Sequence, residues 1–438
     1  MSDQQATPEQ RSFIGIALNT GTVTHNMLTF YLCCYAAIML ATFVPQTQPF
    51  LLGEVLKLDP SSQGVVSGNL NFWGEIVIIL TVGFWGSMSD RVGRRLVTAV
   101  GFVLTASGIV LYGVARDVND LLLARVVYSA GIASISTMMI TLMADYVANA
   151  SRGKATGLLG IMNGLGAMTA ALFLLKLPAM FKDGGMDAES AAFATYTTMG
   201  GVTATIAVLM FIGLRKGVTN KDAKRVPILR QLQEGMQEAR RPVIALAYAA
   251  SFVARGNLAV VGTFFTLWAT IYGTTVLDMT AADALAKGGS VVAISYGASL
   301  LSAPIFGILA DRINRIAALA ITLTISAVGY SSTYFIEDPF SVGSIISLIF
   351  IGMAEVGCII TSGVLIAEHA PDRLRGSVVG VFTLTGAIGI LIASVVGGYL
   401  FDHWLKSGPF VFFGLISFVV LMWALVVWRR DGAEPRTA

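Results

Sequence analysis

The chain has 438 residues, 55% of them hydrophobic and 13% charged, and its mean hydropathy is +0.74. A soluble domain is nearer about 45–50% apolar and about 25% charged, so the composition excludes a soluble enzyme and, equally, a disordered chain. With 29 Lys+Arg against 26 Asp+Glu the net charge is +3, too balanced for a nucleic-acid binder.

A helix crossing the hydrocarbon core needs about 20 mostly apolar residues. Twelve such spans follow in chain order: 25–52, 64–86, 96–114, 120–146, 154–178, 193–214, 243–272, 288–310, 317–335, 342–367, 377–401 and 409–428. They are long continuous apolar runs without period-2 alternation, which argues against a β-barrel. The first run follows about 24 polar or mixed residues with no cleavage site after a short apolar core, so no cleaved signal peptide is expected. Pro45 and Pro49 should kink the first span. Cys33, Cys34 and Cys358 lie in apolar runs and read as small buried residues. The three histidines show no metal-ligand spacing, and neither metal nor cofactor is expected.

Loop charges set the orientation. With both termini in the cytoplasm, 21 Lys and Arg fall inside, among them the eight between 215 and 241. Six fall outside: Lys57, Arg116, Lys176, Lys182, Lys287 and Lys406. The expected architecture is an all-α membrane protein with segments 1–24 (cytoplasmic), 25–214 (first six-helix bundle), 215–242 (cytoplasmic loop), 243–428 (second bundle) and 429–438 (cytoplasmic tail). Within the loop, Ile228, Leu229, Leu232 and Met236 have helical spacing; an amphipathic helix at the membrane surface and a plain charged linker both fit.

The two halves repeat. Gly86-Ser87-Met88-Ser89-Asp90-Arg91 recurs as Gly307-Ile308-Leu309-Ala310-Asp311-Arg312, offset by 221 (311 − 90). Ala144-Asp145, Arg152-Gly153, Gly157 and Gly166 recur as Ala367-Glu368, Arg375-Gly376, Gly380 and Gly389, offset by 223 (375 − 152). Two matches at nearly one offset argue for duplication, and parallel six-helix repeats are a secondary-transporter architecture.

These motifs resemble the major facilitator superfamily. Gly86, Asp90, Arg91, Gly93, Arg94 and Arg95 match its loop pattern, and the second copy has Asn314 where the second glycine would stand. Arg125 with Gly131 resembles the fourth-helix motif, and Asp145 with Arg152-Gly153 the loop that follows it. The Gly-Pro element of the drug–proton antiporters is missing from span 5, where no proline occurs before Pro178. The resemblance implies a gate in which Arg91, Arg94 and Arg95 pair with Asp90 or Asp145 at the cytoplasmic face. Asp311, Arg312, Glu368 and Arg375 would do the same in the second half. Such pairs would hold the outward-open state and break on opening inward. Orientation and local capping alone are the plainer alternative.

An uncompensated charge at mid-bilayer costs roughly 3 kcal/mol or more, so each buried charge is a candidate site. Glu75, Arg255 and Glu355 sit near the middle of spans 2, 7 and 10, and Arg125 sits about 5 residues into span 4. Charge balance within each half suggests the pairs Glu75–Arg125 and Arg255–Glu355. Arg255, with Asn257, Arg125 and Trp268, is the candidate substrate site, since a guanidinium suits carboxylate or phosphate; a structural ion pair with Glu355 is the alternative. Glu75 and Glu355 are the candidate proton carriers. Asn69, Asn71 and Asn163 offer neutral hydrogen bonds or helix contacts.

The expected function is alternating-access transport of a small solute, an organic anion, coupled to protons, by a monomer in a bacterial inner (plasma) membrane. Efflux of amphipathic or drug-like compounds is the second reading, and a non-transporting sensor or scaffold the third. The chain shows no Ser/His/Asp set, so it is not expected to be an enzyme, and no phosphate-binding loop, so ATP drive is not indicated; its balanced charge argues against nucleic acid as a partner.

Overall fold

The computed structural model describes residues 12–216 and 228–431. The outermost parts of both expected tails and residues 217–227 of the central loop lie outside the described residues. Twelve helical spans are present: Thr24–Val55, Gln63–Val92, Arg94–Val114, Val118–Tyr146, Asn149–Asp183, Ala188–Gly213, Pro242–Thr275, Ala281–Arg312, Arg315–Phe335, Val342–His369, Arg375–His403 and Gly408–Arg430. They are numbered 1 to 12. An even number of crossings puts Thr24 and Arg430 on one face, called the terminal face here; the other is the far face.

Local chemistry sets the span ends. Spans 4, 6, 8 and 10 begin at the far face behind Asp117, Asp187, Thr280 and Ser341, whose side chains accept from the first-turn backbone N–H groups. Gly93 separates spans 2 and 3 with φ +96°, a left-handed conformation that an L side chain resists. In the repeat Asn314 keeps φ at −56° and instead caps span 9, accepting from Ile316 N (2.9 Å) and Ala317 N (3.3 Å). Span 1 continues through Pro45 and Pro49 and ends in a π-helical turn, Leu51–Val55. A second π-turn, Val261–Phe265, interrupts span 7. Among the described residues the only strands form a short hairpin, Ser12–Phe13 paired with Ile16–Ala17, docked on the loop between spans 4 and 5. There Ala17 N donates to Ser151 Oγ at 3.0 Å.

The contacts repeat with the sequence. Spans 3–4, 3–6, 1–5 and 2–4 pack in the first half; spans 9–10, 9–12, 7–11 and 8–10 do so in the second. Between halves, span 2 packs on span 11 and span 5 on span 8. Small residues permit this closeness. A Cβ on Gly68 would stand 2.2 Å from the Ser394 carbonyl oxygen, and one on Gly289 would stand 2.6 Å from that of Ala171. Both contacts lie toward the far face.

Toward the terminal face the halves diverge. On span 5, Gly164 meets Leu300, but Gly160 and Gly157, one and two turns nearer the terminal face on the same side, have nothing within 4 Å of a Cβ position. Gly297 and Gly307 on span 8, and Gly376 and Gly380 on span 11, are equally open. The molecule is a V, shut at the far face and open at the terminal face. The connecting helix Ile228–Gln237 docks beneath the second half, where Tyr248 Oη donates to Gly235 O at 2.9 Å and Leu232 joins the core, while Met236 stays exposed.

Candidate functional site

Two charged side chains, one from each half, lie within electrostatic reach of each other at the cleft. Arg255 lies half-way along span 7, and its stem crosses span 11 at Gly386, where a Cβ would stand 2.7 Å from Arg255 Cγ. Arg255 is an exposed residue between the buried Ala254 and Gly256. Its charged neighbour is Glu75 of span 2, in the opposite half. Glu75 in turn lies within electrostatic reach of Arg255 and Arg125.

Arg125 is buried and does not make the expected ion pair with Glu75. It donates through Nη2 to Asn71 Oδ1, and its charge lies over the Tyr128 ring, 5.5 Å from the centroid. Gly74 makes the room: a Cβ there would stand 2.6 Å from Arg125 Nε. Asn71 uses its other end to donate to Thr263 Oγ1 of span 7, across the halves. Thr263 belongs to the π-turn, a device that is frequent at functional sites.

The expected pair Arg255–Glu355 is corrected. Glu355 turns into the second half, buried, beside Tyr296 and Tyr330, and neither carboxyl oxygen has a hydrogen-bond partner. Tyr296 Oη accepts from Gln46 Nε2 of span 1, a second hydrogen bond across the halves. The cleft is therefore roofed by two inter-half bonds, Asn71–Thr263 and Gln46–Tyr296. They join spans 2 and 7 and spans 1 and 8, which the repeat relates to each other.

Asn257 and Trp268 do not face the cleft, which corrects their placement in the substrate site. Asn257 is fully buried, donates to Ser326 Oγ at 2.9 Å, and accepts from Tyr330 Oη through its carbonyl at 3.0 Å. Trp268 packs against Phe265 and Phe410 in the core. At about 100° per residue Asn257 lies about 200° round the helix from Arg255, so helical geometry already pointed it away. Sequence reading missed Gln46, Tyr296 and Thr263. A signal existed for Tyr296, which is the repeat mate of Glu75 (296 − 75 = 221).

At the terminal face the motif residues form two matching clamps. Arg94 bonds Asp90 (2.5 Å) and Asp145 (3.1 Å); Arg315 bonds Asp311 (3.6 Å) and Glu368 (2.6 Å). Each of these four bonds lies within one half, and each is intact while the cleft is open on that side. The expectation that such pairs break on this opening is thereby corrected for Arg94 and Arg315: they tie three spans of one half together. Arg95 lies over Phe211, 4.2 Å from the ring centroid. Arg91, Arg152, Arg312 and Arg375 are exposed at that face.

The family pattern described as Major Facilitator Superfamily matches residues 28–392 and 285–438. The chain belongs to this superfamily. It is 26% identical over 418 residues to the magnetosome protein MamH of Paramagnetospirillum magneticum, covering 94% of each chain. The solved nucleoside transporter NupG is 14% identical and superposes with a TM-score of 0.72 over 92% of this chain and 99% of its own. A bacterial homolog of the human lysosomal transporter Spinster, solved inward-facing and unoccupied, is 14% identical with a TM-score of 0.68 over 95% of this chain and 100% of its own. These two likenesses establish the fold. Membership makes the protein a multi-pass membrane transporter of small molecules, not an enzyme.

Proposed function

We propose that the protein carries a small organic anion together with protons by rocking its two halves about the Arg255–Glu75 cleft. The observation that carries this reading is Arg255, an exposed arginine at the middle of a membrane-spanning helix with a carboxyl from the opposite half as its charged neighbour. A guanidinium offers a planar fork of donors that fits a carboxylate. An anion seated on Arg255 takes the positive charge that stabilises ionised Glu75, and Glu75 then takes up a proton. One anion and one proton thus enter the cleft together, leaving its net charge unchanged. Glu355 is a second proton carrier in this scheme: with no partner for its oxygens, an ionised carboxyl there would be costly.

The basic loops support a cytoplasmic terminal face, so the V is open inward. The bundles 25–214 and 243–428 act as the moving bodies, with the Arg94 and Arg315 clamps keeping each rigid. We place the protein, as a monomer, in the bacterial inner membrane. The magnetosome name of one relative points to an organelle membrane as the alternative, which membrane fractionation separates.

The test is a thermal-unfolding screen of the purified full-length protein beside Arg255→Ala. A ligand at about 100 times its dissociation constant adds roughly 2.7 kcal/mol of stability. Organic anions should stabilise the wild type and not the variant. If lipophilic compounds stabilise both equally and anions neither, Arg255 is structural and efflux of amphipathic compounds takes over. One observation favours that second reading: an apolar groove of about 610 Å³ between spans 5, 8 and 10, lined by Met168, Leu172, Leu301 and Met353 among others.

A further inference from the structure

The far face is shut by more than apolar packing. Asp402, at the end of span 11, accepts from the backbone N–H groups of Gly64 (2.9 Å) and Val65 (2.7 Å) in the first turn of span 2. A helix N-terminus carries unsatisfied donors and partial positive charge. Ser62, the residue placed to cap span 2 from its own chain segment, makes no side-chain cap bond. The cap comes instead from the other half. On the opposite side of the pseudo-symmetric interface Glu54, at the end of span 1, accepts from Ala281 N (3.3 Å) at the start of span 8 and pairs with Lys182 at 3.5 Å. Spans 2 and 8 are repeat mates, so each half lays a carboxylate on the N-terminus of the matching span of its partner. Span 8 has a cap of its own in Thr280, which makes Glu54 the lesser of the two.

The surroundings hold Asp402 in place. Gly64 and Gly68 face Ser394 and Gly398 in backbone contact: a Cβ on Gly64 would stand 2.5 Å from Asp402 Oδ1, and one on Gly398 2.7 Å from Gly64 O. Lys406 donates to Pro60 O at 3.3 Å and lies over Phe401, 4.5 Å from the ring centroid. The Asp402 bonds to Gly64 and Val65 and the Lys406 bond to Pro60 cross the halves and are lost when spans 2 and 11 separate.

We infer that Asp402, assisted by Glu54, is the latch of the far gate. It is a helix cap supplied in trans, present while the cleft is open at the terminal face and surrendered when the halves rock. The latch rests on the alternating-access reading and is independent of the substrate.

The experiment is double electron–electron resonance on the full chain in bilayer nanodiscs. Labels at Arg116→Cys and Glu337→Cys span the far face; labels at Lys154→Cys and Arg373→Cys span the terminal face. The native cysteines are buried and stay unlabelled. Asp402→Asn should raise the far-open population at least about threefold, with a matching loss of the terminal-open one. Asp402→Glu should restore the wild-type distribution, and Glu54→Gln should shift it less. If Asp402→Asn is not recovered folded, Asp402→Ser, whose shorter side chain also lacks the charge and the second acceptor, should shift the populations in the same direction. Two wild-type populations that the Asp402 variants leave unchanged would overturn the latch alone, even if the variants melt lower. A wild type with one fixed distance at each face, with and without added anions, would overturn alternating access and the latch with it.

Discussion

Arg125 shows how a single charge is accommodated inside a membrane protein. Its neutral acceptor Asn71 and the missing side chain at Gly74 are both required by geometry. Gly74→Ala should therefore cost about 1–3 kcal/mol as overpacking. Asn71→Leu should cost about 1.5–3 kcal/mol, because a charged donor loses its acceptor. Thermal unfolding of the full-length protein reads both, and wild-type stability in either variant would refute the arrangement. The intramembrane charges themselves were legible in the sequence, because an ionisable residue in an apolar run stands out energetically. Their partners were not. Pairing depends on which way each helix face turns, and charge balance within a half was a poor guide to that: Arg255 lies within electrostatic reach of Glu75 in the other half, and Glu355 within reach of two tyrosines of its own half.

The elements carry the same message in their ends and irregularities. The repeat of Gly93 as Asn314 looked like a lost position, yet both residues terminate a turn by different means: one adopts φ +96°, the other caps. Gly93→Ala should cost about 1–2 kcal/mol through the left-handed backbone. Asn314→Ala should cost about 0.5–2 kcal/mol as a lost cap, and Asn314→Gly only a few tenths. Melting curves of the three variants check this; equal losses for the two Asn314 variants would contradict a capping role. The π-turn at Val261–Phe265 had no sequence signal, since a π-turn is one extra residue accommodated by packing. It brings Thr263 onto Asn71.

For the whole molecule, the proposed function makes anion and proton bind cooperatively at Arg255 and Glu75. In the proposed cycle the anion-bound protein holds one more proton than the empty one, so by linkage anion affinity should rise as pH falls. Glu75→Gln is neutral at every pH and should flatten that dependence while keeping binding. Calorimetric titration across pH measures both. A wild-type affinity independent of pH would remove Glu75 from the coupling step. The clamps at the terminal face belong to this scale as well. Arg94 and Arg315 stay bonded within their halves in the open state, each tying three spans of its own half together.

The sequence by itself determined the class of molecule: twelve apolar runs leave no other solution than membrane helices, because lipid cannot satisfy backbone polar groups. It also determined the duplication and the superfamily, since glycines and charges at turns are demanded locally, by φ and by capping. The tertiary structure alone decided what meets what between the halves. Asn71 on Thr263, Gln46 on Tyr296 and Asp402 on the first turn of span 2 join residues 192 to 338 positions apart. Such contacts follow from helix rotation and the tilt of one bundle against the other. Those are set by the summed packing of small residues along spans 2, 5, 8 and 11, a property of no single stretch of chain.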